Sequence, residues 1–340
     1  MSPADYGTGP SMNQPRQPRV SVVIPNWNGL EHLAECMDSL ANQSYRDFET
    51  IVVDNASSDG SVAWLREHVP ETRLVVRNDN GGFSAAVNDG IRASQAEFVY
   101  LLNNDTAVDP DCLRALVEAL DSTGYDVATS LMVFYDEPNV VNAAGDIFLL
   151  GHLFGIQRGR GEPVAAYAEP MRVFGACAGA AMYRRSFFDD VGLFDEEFFL
   201  IFEDVDISLR GLIAGKRVHY VPGSVVRHKD SASIKTRPSL QTAHLMLRNR
   251  FIVIGKDLPL VLMPYAALWW CWNGFREVVP LRPSRWHEIP ALLAEYRAGV
   301  PTQFEGFRMG WAKRPDVWKR QRISVAAILR WLHRGSGPLD

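Results

Sequence analysis

Carboxylates and carboxamides stand where apolar runs of this sequence break off, and those junctions are where chemistry is most readily placed. Residues 98–102 are five apolar residues in a row, followed at once by Asn103, Asn104 and Asp105. A run of that length, rich in β-formers, reads as a buried strand of a parallel sheet, and ligands bind beyond the carboxyl ends of such strands. A carboxylate there can hold a divalent cation against a diphosphate, because hard oxygen donors plus substrate phosphates are how magnesium and manganese are usually bound. The competing reading is a turn or a cap for the helix after Pro110, since Asn and Asp are common in strand-to-helix loops.

A second cluster follows aromatic bulk at 198–202 with Glu203, Asp204 and Asp206, at the start of a helix expected to reach Ala214. Acidic groups at a helix N-terminus are favoured by the dipole. Three of them within four residues also describe a general base beside its supporting carboxylates. His228 is flanked by Arg227, Lys229 and hydroxylic residues in an expected loop; it reads either as a solvent-exposed side chain or as a metal ligand.

The elements that must position these groups alternate regularly. Strands are expected at 20–24, 48–54, 72–76 and 98–102, with helices at 30–42, 61–69 (capped by Ser61) and 83–93 between them. That alternation means a parallel, doubly wound sheet. Each strand ends in Asn, Asp or Gly, suited to turns and equally to gripping a polar ligand. Asp54 could accept from a base imide N–H and a ribose hydroxyl, and Gly81 and Gly82 leave room for a nucleotide. No Gly-x-Gly-x-x-Gly or Gly-Lys-Ser/Thr occurs, which disfavours a dinucleotide site or a P-loop. Beyond a helix at 110–120 and a strand at 127–134 the alternation stops. Residues 135–170 read as an irregular segment or hairpin near the acceptor; a helix at 184–191 and a strand at 216–221, ended by Pro222, follow.

With 340 residues, 47 % hydrophobic and 22 % charged, the chain can bury a large core in roughly two units. Net charge is −5, unevenly spread: residues 1–230 carry 18 Lys and Arg against 33 Asp and Glu, residues 231–340 carry 17 against 7. The basic part is expected to face an anionic partner. Four scattered cysteines indicate neither a zinc knuckle nor a disulfide framework, so the cytoplasm is the default compartment. Residues 1–19 read as a flexible leader, and the apolar tract at 258–272, broken by two prolines, is too short to span a bilayer. Seven of the nine tryptophans lie past residue 260, among Arg and Lys on helix-like sequence. That suits peripheral contact with the inner face of a membrane; the alternatives are packing on the catalytic domain and a homodimer interface. A nucleic-acid-binding tail is disfavoured because apolar helices interrupt its charges.

Seven stretches in order carry a resemblance: 22–29, 53–60, 80–88, 101–106, 175–179, 202–206 and 228–233. Together they resemble the inverting glycosyltransferases of family 2, most closely the bacterial rhamnosyltransferase-like branch, over residues 20–235. The resemblance implies a GT-A type α/β fold, mostly parallel and flanked by helices, with 20–130 the nucleotide-binding half, 131–235 the acceptor half and 236–340 a basic, Trp-rich helical extension. It implies a nucleotide-sugar donor held by Pro25, Asn26, Asn28, Asp54, Asn55, Asn80, Gly81, Gly82, Asn88, Asn103 and Asn104. A divalent cation, Mn2+ or Mg2+, would sit on Asp105 with His228 as second ligand, since Asn103 stands where the family has the first Asp of Asp-x-Asp. Asp204 would be the base of a single displacement with inversion, supported by Glu203 and Asp206. The implied reaction moves a sugar, rhamnose from dTDP-rhamnose, onto a lipid-linked or growing cell-surface glycan. UDP-galactofuranose, UDP-GlcNAc or another UDP-hexose are alternative donors, and a nucleotide-binding protein without catalysis is the non-enzymatic alternative.

Overall fold

The computed structural model describes residues 17–229, 240–278, 287 and 289–339. The leader up to residue 16, residues 230–233 of the last motif, and Trp286 lie outside the described residues. Strands are β1 (Val20–Asn26), β2 (Phe48–Asp54), β3 (Arg73–Val76), β4 (Phe98–Leu102), β5 (Thr106–Val108), β6 (Val127–Phe134), β7 (Val141–Ala143), β8 (Asp146–Leu149), β9 (Phe154–Gln157), β10 (Met171–Val173), β11 (Ala180–Arg184), β12 (Val218–His228) and β13 (Ser336–Gly337). Helices are α1 (Leu30–Ala41), α2 (Ser61–His68), α3 (Gly82–Ala93), α4 (Cys112–Thr123), α5 (Arg185–Val191), α6 (Glu203–Ile213), α7 (Leu240–Asp257), α8 (Met263–Val278), α9 (Ile289–Trp318) and α10 (Val325–Arg334).

The four amino-terminal strands form the expected parallel half, in the order β4-β1-β2-β3. They read as near-continuous apolar runs because helices cover both faces: Val22, Ile24, Val52 and Tyr100 pack to one side, Val23, Ile51, Val53 and Leu101 to the other. The sheet is mostly parallel, as expected; β11 lies antiparallel to both β4 and β6 and joins the two halves of the sheet. Ser61 is not a cap: Gly60, in the left-handed region, precedes α2, and Ser61 Oγ donates to Asp59 Oδ1 at 2.6 Å.

Pro222 does not end the strand at 216–221. β12 shifts register between Val221 and Val225 and continues parallel to β6, so His228 stands at a strand end rather than in a loop. Proline is tolerated there because a bulge needs no ladder N–H. The irregular segment resolves into β7 and the β8–β9 hairpin.

The carboxyl-terminal helices join this body. α7 lies against α6 and α9, and β13 pairs with β10 at the sheet edge. Trp318 donates to the Lys256 carbonyl at 3.0 Å, and Trp331 lies under the Arg172 guanidinium. These tryptophans pack on the rest of the chain, while Trp272 and Trp311 are exposed.

Candidate active site

The carboxyl ends of the parallel strands are tied side to side by amides. Asn104 Nδ2 donates to Asn26 Oδ1 at 2.7 Å, and Asn26 Nδ2 donates to Asp54 Oδ2 at 3.0 Å. The Ser57 amide reaches the other oxygen of fully buried Asp54 at 2.9 Å. Asn28 is exposed at the tip of the first loop and accepts from the Ser58 amide; Pro25 lies in β1 beside Asn26. Asn55 Nδ2 donates to the Gly82 carbonyl, and Asn80 Oδ1 accepts from the Gly82 amide. Gly82 has φ +80°, and a Cβ there would meet the Phe199 carbonyl at 2.3 Å, so only glycine fits. Asn88 is a correction to the expected donor set. It lies inside α3, 1 % exposed, with its amide spent on the Phe194 backbone and Glu196, so it holds the 194–196 loop.

Asp105 Oδ1 lies 3.2 Å from His228 Nε2, and His228 Nδ1 meets Asn142 Oδ1 at 3.1 Å. The imidazole is thereby held between a carboxamide and a carboxylate. A carboxylate and an imidazole side by side are donors that would suit a Mn2+ or Mg2+ ion, with Asp105 and His228 the residues that would hold it. Among the described residues no group of three or more His, Cys, Asp and Glu converges to hold a metal alone.

The acidic cluster gains a member that sequence reasoning missed. Asp146, the first residue of β8, is 2 % exposed and neither carboxyl oxygen has a partner. Glu203 is 8 % exposed with Oε2 likewise unpartnered, and Asp204 is half-buried with Oδ1 accepting from the Val205 amide at 2.7 Å. Burial pushes all three carboxyls up: Asp204 to about 6, Glu203 to about 8 with the Asp204 charge adding, and Asp146 well above the usual range under burial, Asp204 and Glu203. Asp204 is therefore the first to ionise, beside two carboxyls kept neutral. Burial above all, with the neighbouring acids adding, pushes up the Cys177 thiol. Two residues on, the Gly179 carbonyl accepts from the Asn103 amide at 2.9 Å. The 175–179 segment thereby spans from Asn103 to Asp146, whose amide donates to the Gly175 carbonyl at 2.8 Å.

Asp206, expected to assist the base, is turned away. It is fully buried, receives Arg210 Nε at 2.8 Å and Nη2 at 2.7 Å on one oxygen and Lys256 Nζ on the other, and is held below the ordinary carboxylate range by those cations despite its burial. Lys256 Nζ also reaches Asp195 at 2.6 Å. On that side a cavity of about 330 Å³ opens, lined by Asp195, Arg210, Lys256, Lys313 and Arg320 among others, with Asp204 not in its lining.

The backbone entering α6 is strained. Phe199, Ile201 and Phe202 have φ of 57°, 71° and 75°, where bulky side chains cost on the order of 1–3 kcal/mol each. Asn249 of α7, fully buried, holds the bend with Nδ2 within 2.8–2.9 Å of the Phe198, Leu200 and Ile201 carbonyls. Asn28 and Ala56, also at positive φ, lie in the opposing loops. No sequence signal marks Asn249, which sits mid-helix far along the chain.

Mixed α/β topology with polar strand ends and an acidic helix start defines a GT-A type fold. Solved structures agree: GalNAc-T7, crystallised with UDP, GalNAc and Mn2+, superposes over 84 % of this chain and 55 % of its own, with TM-score 0.59 at 15 % identity. The model of "Glycosyl transferase family 2" matches residues 21–192, and the chain belongs to that family. Among curated relatives, the y4gI protein of Sinorhizobium fredii is 28 % identical over 284 residues, 74 % of this chain and 28 % of its own. The glycosyltransferase YwdF of Bacillus subtilis is 26 % identical over 182 residues, 53 % of this chain and 63 % of its own. This chain thus spans less than two thirds of either relative.

Proposed function

We propose that this chain transfers a sugar from a nucleotide diphosphate donor to a hydroxyl of a glycan acceptor, with inversion at the anomeric carbon. The observation that carries the reading is the set of three carboxyls at the head of α6 and β8, with one poised to ionise near neutrality and two unpartnered. Asp204 accepts the proton of the attacking hydroxyl; a base that ionises at about 6 is charged at neutral pH yet still basic enough to take it. Glu203 and Asp146, neutral, donate hydrogen bonds to acceptor hydroxyls. Asp54, Asn26 and Asn104 bind base and ribose, and Asn55 and Asn80 shape the Gly81-Gly82 loop beside them. Asp105 and His228 would hold Mn2+ or Mg2+, which when bound offsets charge on the departing diphosphate.

On this reading residues 20–130 are the nucleotide-binding half and 131–235 the acceptor half. The donor we infer from the sequence motifs is dTDP-rhamnose, with UDP-galactofuranose, UDP-GlcNAc or another UDP-hexose as the second choice, and the acceptor is lipid-linked or a growing polysaccharide. Thermal-shift measurement against a panel of nucleotide sugars, with and without Mn2+, tests it, because a ligand that binds only the native state raises its melting point. One nucleotide sugar should raise the melting temperature, more so with the metal; no shift from any of them would overturn the reading.

A further inference from the structure

We infer that the outer face of α8, with the turn at 260–262 before it, is a docking surface for an anionic lipid membrane. Tyr265, Leu268, Trp272 and Phe275 recur at helical spacing and are 37, 71, 59 and 56 % exposed, so one side of α8 is a continuous apolar stripe facing solvent. Leu260 and Val261, 60 and 62 % exposed, prolong it. Phe304 of α9 is 59 % exposed and meets Trp270 of α8 edge to face at 5.6 Å, which widens the stripe into a patch. Scattered exposed apolar residues need no explanation; a contiguous patch of this kind marks an interaction site.

The charges choose the occupant. Between 258 and 276 there is no acidic residue, Arg276 and Arg308 are exposed at the patch, and Glu305 is the exposed acid beside Phe304. Arg276 and Arg308, set against the exposed acid Glu305, suit an anionic lipid surface, which attracts them and accepts the aromatics at headgroup depth. No helix among the described residues is long and apolar enough to cross a membrane, so the contact lies along the surface.

The patch is braced on the acceptor side of the candidate active site. Tyr265 Oη donates to the Gly151 carbonyl at 3.1 Å. The Arg250 guanidinium lies over Trp269 at 4.2 Å and over Phe154 at 5.2 Å, and Phe154 stacks edge to face on Phe202, next to Glu203. The β8–β9 hairpin, headed by Asp146, therefore lies between α8 and the base. Presentation of a lipid-borne acceptor from that side rests on the transfer reading above; lipid binding itself does not.

Full-length protein should sediment with phosphatidylcholine vesicles containing phosphatidylglycerol and much less with phosphatidylcholine alone. The Leu268→Glu, Trp272→Glu double variant, changed only at exposed positions, should keep its melting temperature and its nucleotide-sugar hydrolysis while losing at least ~10-fold in bound fraction. Arg276→Glu should weaken binding most at low salt. Wild type left in the supernatant with anionic vesicles, a double variant that binds like wild type, or a dimer in light scattering that the double variant dissociates would each overturn the inference. A lipid-binding protein with no nucleotide-sugar hydrolysis would keep this proposal and remove the enzymatic one.

Discussion

The first turn of α6 holds two acidic environments three residues apart. Glu203, beside Asp204, and Asp146 hold buried oxygens without a hydrogen-bond partner, while Asp206, in the same turn, is locked between Arg210 and Lys256. Their carboxyls move in opposite directions: up where burial and neighbouring acids act together, down where two cations answer burial. Proximity in sequence is thus no guide to shared chemistry. A helix turn distributes neighbouring acids to different faces, and the partner on each face decides whether the group is reactive or structural.

The sharpest way to break this contrast is Asp204→Asn. We expect kcat to fall by roughly 10³-fold with melting temperature unchanged or raised, because the proposed base is lost and no cation is stranded. Turnover near wild type would remove Asp204 from its role. In the intact enzyme kcat/KM should fall tenfold per unit of pH below about 6, the range in which Asp204 takes up its proton. On the paired face, Lys256→Met should cost about 3–5 kcal/mol of unfolding free energy in urea, since Asp195 and Asp206 are left buried with less compensation.

Asn249→Ala tests the link between the faces: freeing the strained 199–202 bend should lower activity about 10-fold and stability by about 1–3 kcal/mol. Smaller still, Glu203→Gln should gain on wild type by ~1 kcal/mol or more as pH rises from 5 to 8. Glu203 is raised in the folded state, so its contribution is complete below the ordinary carboxyl range and drains away as pH climbs through about 8. Asp206 is lowered and behaves oppositely, supporting the fold above that range and failing as acid is added. Asp146→Asn, which keeps a neutral hydrogen-bonding group, should cost only a few-fold in kcat. A loss as deep as that of Asp146→Ala would show that a charged carboxylate is required.

The parallel half was legible because its strands are apolar runs of β-formers ended by Asp54 or by Asn103-Asn104-Asp105, and periodicity finds such segments. Asp146 was not, because residues 135–170 carry no period and its importance comes from meeting α6 in space. Asn88 misled for a related reason: it stands in a motif beside Asn80 to Gly82, but six residues into α3 its side chain faces inward to Phe194. Pro222 misled by its ordinary meaning; the bulge in β12 carries the strand past it to His228. The strain at Phe199, Ile201 and Phe202 breaks local preference altogether, and only Asn249, some fifty residues later, explains how it persists.

The short β13, pinned to β10 with the Phe174 amide donating to the Gly335 carbonyl, fastens the carboxyl-terminal helices to the edge of the catalytic sheet. Cutting the chain before α7 would strip Asn249 and Lys256 from the site's supports and leave β10 without its outer neighbour, a bare edge open to pairing with other chains. Solvent denaturation should accordingly show one transition for the whole chain, and a shortened enzyme would report aggregation rather than the intrinsic activity of an isolated catalytic unit.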